Sequence, residues 1–122
     1  MIVAGFGFRT GAAPSSLRDA FEIARADCGL AVTALAAPAD KVEPLAPLAA
    51  ELGVPLVAVA PEMLERMPTA TVSPASLAAR RTGSVAEAAA VAAAGPGARL
   101  LIARCVSSDR MATCAIAQGI ST

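Results

Sequence analysis

The sequence predicts an α/β domain of three layers, with a mixed five-stranded sheet held between helices. Short apolar runs of strand length recur at Ile2–Phe6, Leu30–Ala36, Val54–Val59, Arg99–Arg104 and Met111–Ala117, bounded by glycine, proline or polar residues. Segments with helical spacing separate the first three runs, and a parallel strand pair needs a crossover of that length. The last two are joined only through Ser107-Ser108-Asp109-Arg110, which suits a hairpin. The sheet is therefore expected to be mainly parallel with an antiparallel C-terminal strand.

Taken in order, Ile2, Val3, Ala4 and Phe6 make a first strand that runs into the glycines Gly5, Gly7 and Gly11. Pro14, Ser15 and Ser16 are helix-start signals, and Ser16 with Asp19 has the spacing of a weak capping box. Leu17, Ala20, Phe21, Ala24 and Cys28 then recur on one helical face, and Gly29 stops the helix. Pro38 closes the second strand and the loop after it carries Asp40 and Lys41. Helical spacing returns over Glu43–Leu52, where Pro44 and Pro47 predict an irregular start because proline is tolerated only in a first turn. Pro61 begins a short helical turn, and Ser73-Pro74 opens a helix running to about Arg81. Ser84 and Glu87 have the Ser-x-x-Glu spacing of a capping box, opening an alanine-rich helix over Val85–Ala94 that stops at Gly95-Pro96-Gly97.

Composition limits the function. The 122 residues suit one domain, spanning 1–122, with a tight core of small residues, since Phe6, Phe8 and Phe21 are its only aromatics. No apolar stretch approaches the ~20 residues that cross a bilayer, so no membrane is expected. Ten basic and ten acidic residues are scattered, which argues against nucleic acid as a partner. The amino terminus reads as strand rather than leader, and the expected location is the cytoplasm. Three widely spaced cysteines, Cys28, Cys105 and Cys114, read as incidental thiols, and without histidine neither a metal centre nor a Ser-His-Asp or Cys-His mechanism is expected.

Ligands of open α/β sheets sit at the carboxyl ends of the strands. That edge should collect Gly7–Gly11, the Pro38–Lys41 loop, Pro61 with Glu62, and Thr82-Gly83-Ser84, making Arg9, Thr10, Lys41 and Ser84 the candidate anion-binding side chains. The glycine spacing is G-x-G-x-x-x-G and no acidic residue ends the second strand, so neither a dinucleotide nor any other cofactor is expected.

The opening Gly5-Phe6-Gly7-Phe8-Arg9-Thr10-Gly11 resembles the G-x-G-C-R-R-G opening of the CobE/CbiG carboxy-terminal family of cobalamin biosynthesis. The runs Leu48–Leu56, Gly83–Ala90 and Ala112–Ala117 resemble the same family in order and spacing. The resemblance implies a three-layer domain of the free-standing CobE type that binds or helps to process a precorrin or corrinoid intermediate, alongside other enzymes of the pathway. Gly5, Gly7, Arg9 and Gly11 match the family's first loop, Phe8 and Thr10 replace its cysteine and second arginine, and Gly83, Ser84 and Glu87 match its helix opening. Lys41 lies close to a family lysine, and Arg104 stands where the family often has one. Carboxylates on the rim of a corrinoid suit Arg9, Arg104 and Lys41, and its apolar face suits Phe8. In longer relatives the resemblance implies opening of a lactone with release of acetaldehyde. For that alternative Glu87 is the candidate general base, with the amides of Gly7–Gly11 stabilising an oxyanion. A third alternative is a non-catalytic domain that docks onto another enzyme of the pathway.

Overall fold

The computed structural model describes residues 1–80 and 82–120. Its five strands are β1 (Ile2–Phe8), β2 (Ala34–Pro38), β3 (Leu56–Val59), β4 (Arg99–Val106) and β5 (Ala112–Gln118). The helices are α1 (Pro14–Cys28), α2 (Ala46–Leu52), α3 (Pro61–Arg66), α4 (Pro74–Arg80) and α5 (Val85–Ala94). The strands form one sheet in the order β3-β2-β1-β5-β4. β1, β2 and β3 are parallel neighbours, and β5 runs antiparallel to both β1 and β4. The mixed sheet expected from the chain is the one that forms, with its reversed strand inserted beside β1.

Alternation along β1 divides the molecule into layers. Ile2, Ala4 and Phe6 join Leu35, Cys114 and Ile116 beneath Leu17, Ala20, Phe21 and Ala24 of α1 and Leu48 of α2. Val3, on the opposite face, packs with Ala34, Ala36 and Val59 against Leu64 of α3 and Ala88 and Ala89 of α5. Ala86, Ala88, Ala89 and Ala90 are all buried, and Glu87 is buried among them. No helix among the described residues is long and apolar enough to cross a membrane.

Several boundaries differ from the sequence reading for local reasons. β2 starts at Ala34 rather than Leu30, because the chain leaves α1 through Gly29 at φ 71° and reaches the sheet only where Ala34 pairs with Val3. β3 starts at Leu56 because the Val54 amide is spent on the Ala49 carbonyl at the end of α2, and Pro55 has no amide to donate. The irregular stretch before α2 consists of two 3-10 turns, Ala39–Lys41 and Glu43–Leu45, and Pro47 falls in the first turn of α2. Arg81, the expected end of α4, lies outside the described residues.

The Ser16–Asp19 capping box does not form. α1 begins earlier, with Ala13 as its cap and Pro14 in its first turn, so Ser16 is already inside the helix. The Ser16 hydroxyl instead donates to Asp109, and Asp19 accepts from the Ser108 amide at 2.7 Å. Both side chains tether the β4–β5 turn to α1.

Candidate functional site

Because β5 is antiparallel to β1, the carboxyl end of one lies beside the start of the other, with Phe8 opposite Ala112 and Gly7 opposite Thr113. The β4–β5 turn therefore arrives at the same sheet edge as the loop after β1, and the Arg9 amide donates to the Met111 carbonyl at 2.9 Å. A cleft of about 540 Å³ opens there. Its lining is apolar at Phe8, Val85, Val106, Met111 and Ala112, hydroxylic at Ser73, Ser76 and Thr113, and cationic at Arg9, Lys41, Arg104 and Arg110. Among the described residues that line it there is no carboxylate, and the three guanidiniums make no ion pair. The Lys41 ammonium donates to the Phe8 carbonyl at 2.8 Å and stands 5.2 Å from the centre of the Phe8 ring. An adjoining hollow of about 550 Å³ shares Phe8, Arg9, Thr10 and Lys41 and adds Gly11 and the 39–44 segment.

Arg104 reaches this cleft through an irregularity in β4. Ile102 pairs with Ile116 and Cys105 with Cys114, so Ala103 and Arg104 oppose the single residue Ala115. Such a bulge re-aims a side chain and frees a backbone amide. The freed Arg104 amide donates to Glu87 Oε2 at 2.8 Å. Glu87 Oε2 also accepts from the Thr71 hydroxyl at 2.7 Å, and Oε1 accepts from the amides of Ala70 and Thr71 at 2.7 and 2.9 Å. Burial pushes this carboxyl group up, but the Arg104 amide, the Thr71 hydroxyl and the two loop amides together hold it below its ordinary value.

The sequence matches the model of the family described as Cobalamin synthesis G C-terminus over residues 2–117. The chain belongs to that family. Its structure is similar to that of CobE, a protein from the cobalamin (vitamin B12) biosynthetic pathway, with 31% identity, a TM-score of 0.87 and coverage of 100% of this chain and 92% of that one. It is also similar to the cobalamin biosynthesis protein chiG from Agrobacterium tumefaciens, at 35% identity and a TM-score of 0.70, covering 99% of this chain and 100% of the other. A putative cobalamin biosynthesis protein G homolog from Sulfolobus solfataricus shares the fold at 22% identity and a TM-score of 0.74, over 95% of this chain and 36% of that one. No curated protein matches the sequence significantly.

Within this member of the cobalamin synthesis G family, the residues singled out from sequence separate into two groups. Gly7, Phe8, Arg9, Thr10, Lys41 and Arg104 come together around the cleft, and Gly11 lines the adjoining hollow at φ 88°. Gly5, Gly83, Ser84 and Glu87 do not line either. Gly5 lies beneath α5, and Gly83 packs against Thr69 and Thr71. Ser84 is buried at the start of α5, where its hydroxyl accepts from the Glu87 amide at 3.3 Å. Only half of the expected capping box exists, since the Glu87 carboxylate turns toward the 70–71 segment and β4. Pro61 and Glu62 are absent from the cleft lining.

Glu87 also fails as the expected base for water. It is fully buried, and its two oxygens, with about four acceptor positions, already receive four hydrogen bonds. No lone pair is left to draw a proton from a substrate water. Two of the thiols are equally quiet: burial and Asp27 push Cys105 up, while burial and Cys105 push Cys114 well above the usual thiol value.

Sequence reasoning missed Arg110, Met111, Thr113 and the two serines of the 73–76 segment. The first three were discoverable in principle, because a hairpin turn that ends in an arginine must lie at one edge of the sheet. Which edge depends on where β5 inserts.

Proposed function

We propose that this protein binds a carboxylate-rich precorrin or corrinoid intermediate of cobalamin biosynthesis in the cleft and presents it to other enzymes of the pathway, without transforming it. The observation that carries this reading is the set of three guanidiniums, without an ion pair among the described residues, and Lys41 around a lining that is otherwise apolar and hydroxylic. A corrinoid presents an apolar macrocycle fringed with acetate and propionate groups. Planar guanidiniums grip carboxylates bidentately, and the neighbouring apolar wall strengthens those contacts by excluding water. The volume is that of an ordinary small-molecule site, ~300–1,000 Å³. Binding is favoured over lactone hydrolysis because Glu87 has no free acceptor position and the chain has no histidine or tyrosine to take its place.

Cobyrinic acid and its fully esterified form test this directly by absorbance titration and gel filtration. The acid is expected to bind with an affinity that falls as salt rises, and the ester is expected to bind much more weakly. Arg9→Ala or Arg104→Ala should each weaken the acid about tenfold or more, the range for a lost charge-assisted hydrogen bond. Equal binding of acid and ester, or no binding of the acid, would sink the reading. Acetaldehyde release from a lactone-bearing intermediate would replace it with the hydrolase.

A further inference from the structure

Arg110 is the one non-glycine residue at positive φ among the described residues, at 62°. An arginine there is strained, since the left-handed region brings Cβ against the following carbonyl, and glycine or asparagine would adopt it more cheaply. The turn around it is heavily braced. Asp109 accepts from the Ser107 hydroxyl at 2.6 Å and from the Met111 amide at 3.1 Å through Oδ1, and from the Ser16 hydroxyl of α1 through Oδ2. The Ser107 hydroxyl in turn accepts from the Ala112 amide at 3.0 Å, and the Arg110 amide donates to the Ser107 carbonyl at 2.9 Å. The braces run to α1 and to the start of β5, and none engages the Arg110 guanidinium. That side chain is exposed, lines the cleft and makes no ion pair among the described residues. Local packing therefore gives no reason for an arginine in a conformation that disfavours it, whereas a charge directed at the cleft does.

We propose that the 107–111 turn is a preset carboxylate grip, in which Arg110 binds a rim carboxylate of the ligand and Asp109 is the positioning residue that holds it. The inference rests on the reading of the cleft as a corrinoid site and adds a contact that neither the glycine-rich loop nor the bulge provides. The Asp109 carboxyl is held below its ordinary value by the Ser107 and Ser16 hydroxyls and the Met111 amide, so the brace stays ionised through the neutral range.

Four variants, Arg110→Gly, Arg110→Lys, Asp109→Asn and the double variant Asp109→Asn/Arg110→Gly, test the grip with cobyrinic acid as the probe. R110G should raise the Tm by relieving backbone strain while lowering affinity about tenfold, and R110K should recover part of the affinity. D109N should lower affinity in the wild-type background and have no further effect in R110G. A general structural defect would not give that non-additivity. Should D109N unfold, Ser16→Ala removes one of the three braces and should show the same pattern at smaller amplitude. Wild-type affinity in R110G, or an undiminished D109N effect in the R110G background, overturns the grip alone. Failure of the wild-type protein to bind cobyrinic acid overturns the grip and the corrinoid reading together.

Discussion

Replacing Glu87 by alanine is expected to cost about 3 kcal/mol of folding stability, a large share of the ~5–15 kcal/mol typical of a domain. The carboxylate is fully buried and joins three parts of the chain: the amides and hydroxyl of Ala70 and Thr71, the bulge amide of Arg104, and its own helix α5. Alanine leaves those donors without their protein acceptor at the half-buried junction of the 70–71 segment, β4 and α5, and an unpaired buried polar group costs ~1–3 kcal/mol. Glu87→Gln keeps the shape but turns an NH2 group toward donors, so it should still lose about 2 kcal/mol or more. The pH dependence has a definite sign. A carboxyl group held below its unfolded value adds stability that is fully present above the unfolded value, near ~4.3, and is lost as the pH falls through the lowered folded value. The acid limb of the stability curve should therefore be shallower in E87Q than in wild type. Urea unfolding at neutral pH and between about pH 3 and 5 measures both effects. Wild-type stability of E87Q at neutral pH would show that the network contributes nothing net. Because the same carboxylate fixes the Arg104 bulge, any E87Q protein that remains folded should also bind cobyrinic acid more weakly.

The second large effect is expected at Gly5. A Cβ placed there would stand 2.2 Å from the Ala86 carbonyl oxygen, 2.4 Å from the Ala90 amide nitrogen and 2.8 Å from the Ala90 Cβ. The first two are backbone atoms of a helix that is itself buried, so relief requires α5 to lift from β1. Gly5→Ala should cost about 3 kcal/mol or more, at or beyond the usual upper range for overpacking. Removing the Ala90 methyl clears only the mildest of the three contacts, so Gly5→Ala/Ala90→Gly should remain unstable. Thermal unfolding of the single and double variants checks this, and a G5A protein melting within a few degrees of wild type would contradict the close packing. Gly5 thus serves helix–sheet approach, while Gly7 and Arg9 after it line the cleft.

Much of the fold was legible because the relevant signals are local. Strand-length apolar runs, the helical spacing of Leu17, Ala20, Phe21 and Ala24, and the Ser84 start of α5 each depend on a few neighbouring residues, and each appears in the structure. The candidate site was legible in part for the same reason: Gly7, Phe8, Arg9 and Thr10 follow directly from the end of β1, and Lys41 follows shortly after β2. Glu87 and Ser16 were misread because a capping spacing describes only what a side chain can reach within its own helix. Both found stronger partners far along the chain, Glu87 at Thr71 and Arg104 and Ser16 at Asp109.

The sequence by itself determined the strand and helix content, the parallel first half, the antiparallel hairpin at the end and the cationic glycine loop. Periodicity, turn chemistry and connection length are short-range properties and suffice for these. Only the tertiary structure decided that β5 inserts between β1 and β4, that Glu87 turns inward to hold a bulge, and that Arg104 and Arg110 meet Arg9 and Lys41 at one cleft. Those outcomes depend on strand pairing and on the need to satisfy buried polar groups across the whole chain. The physical reason is that a hydrogen-bond donor freed at one point must find its acceptor in space, wherever the fold has brought one.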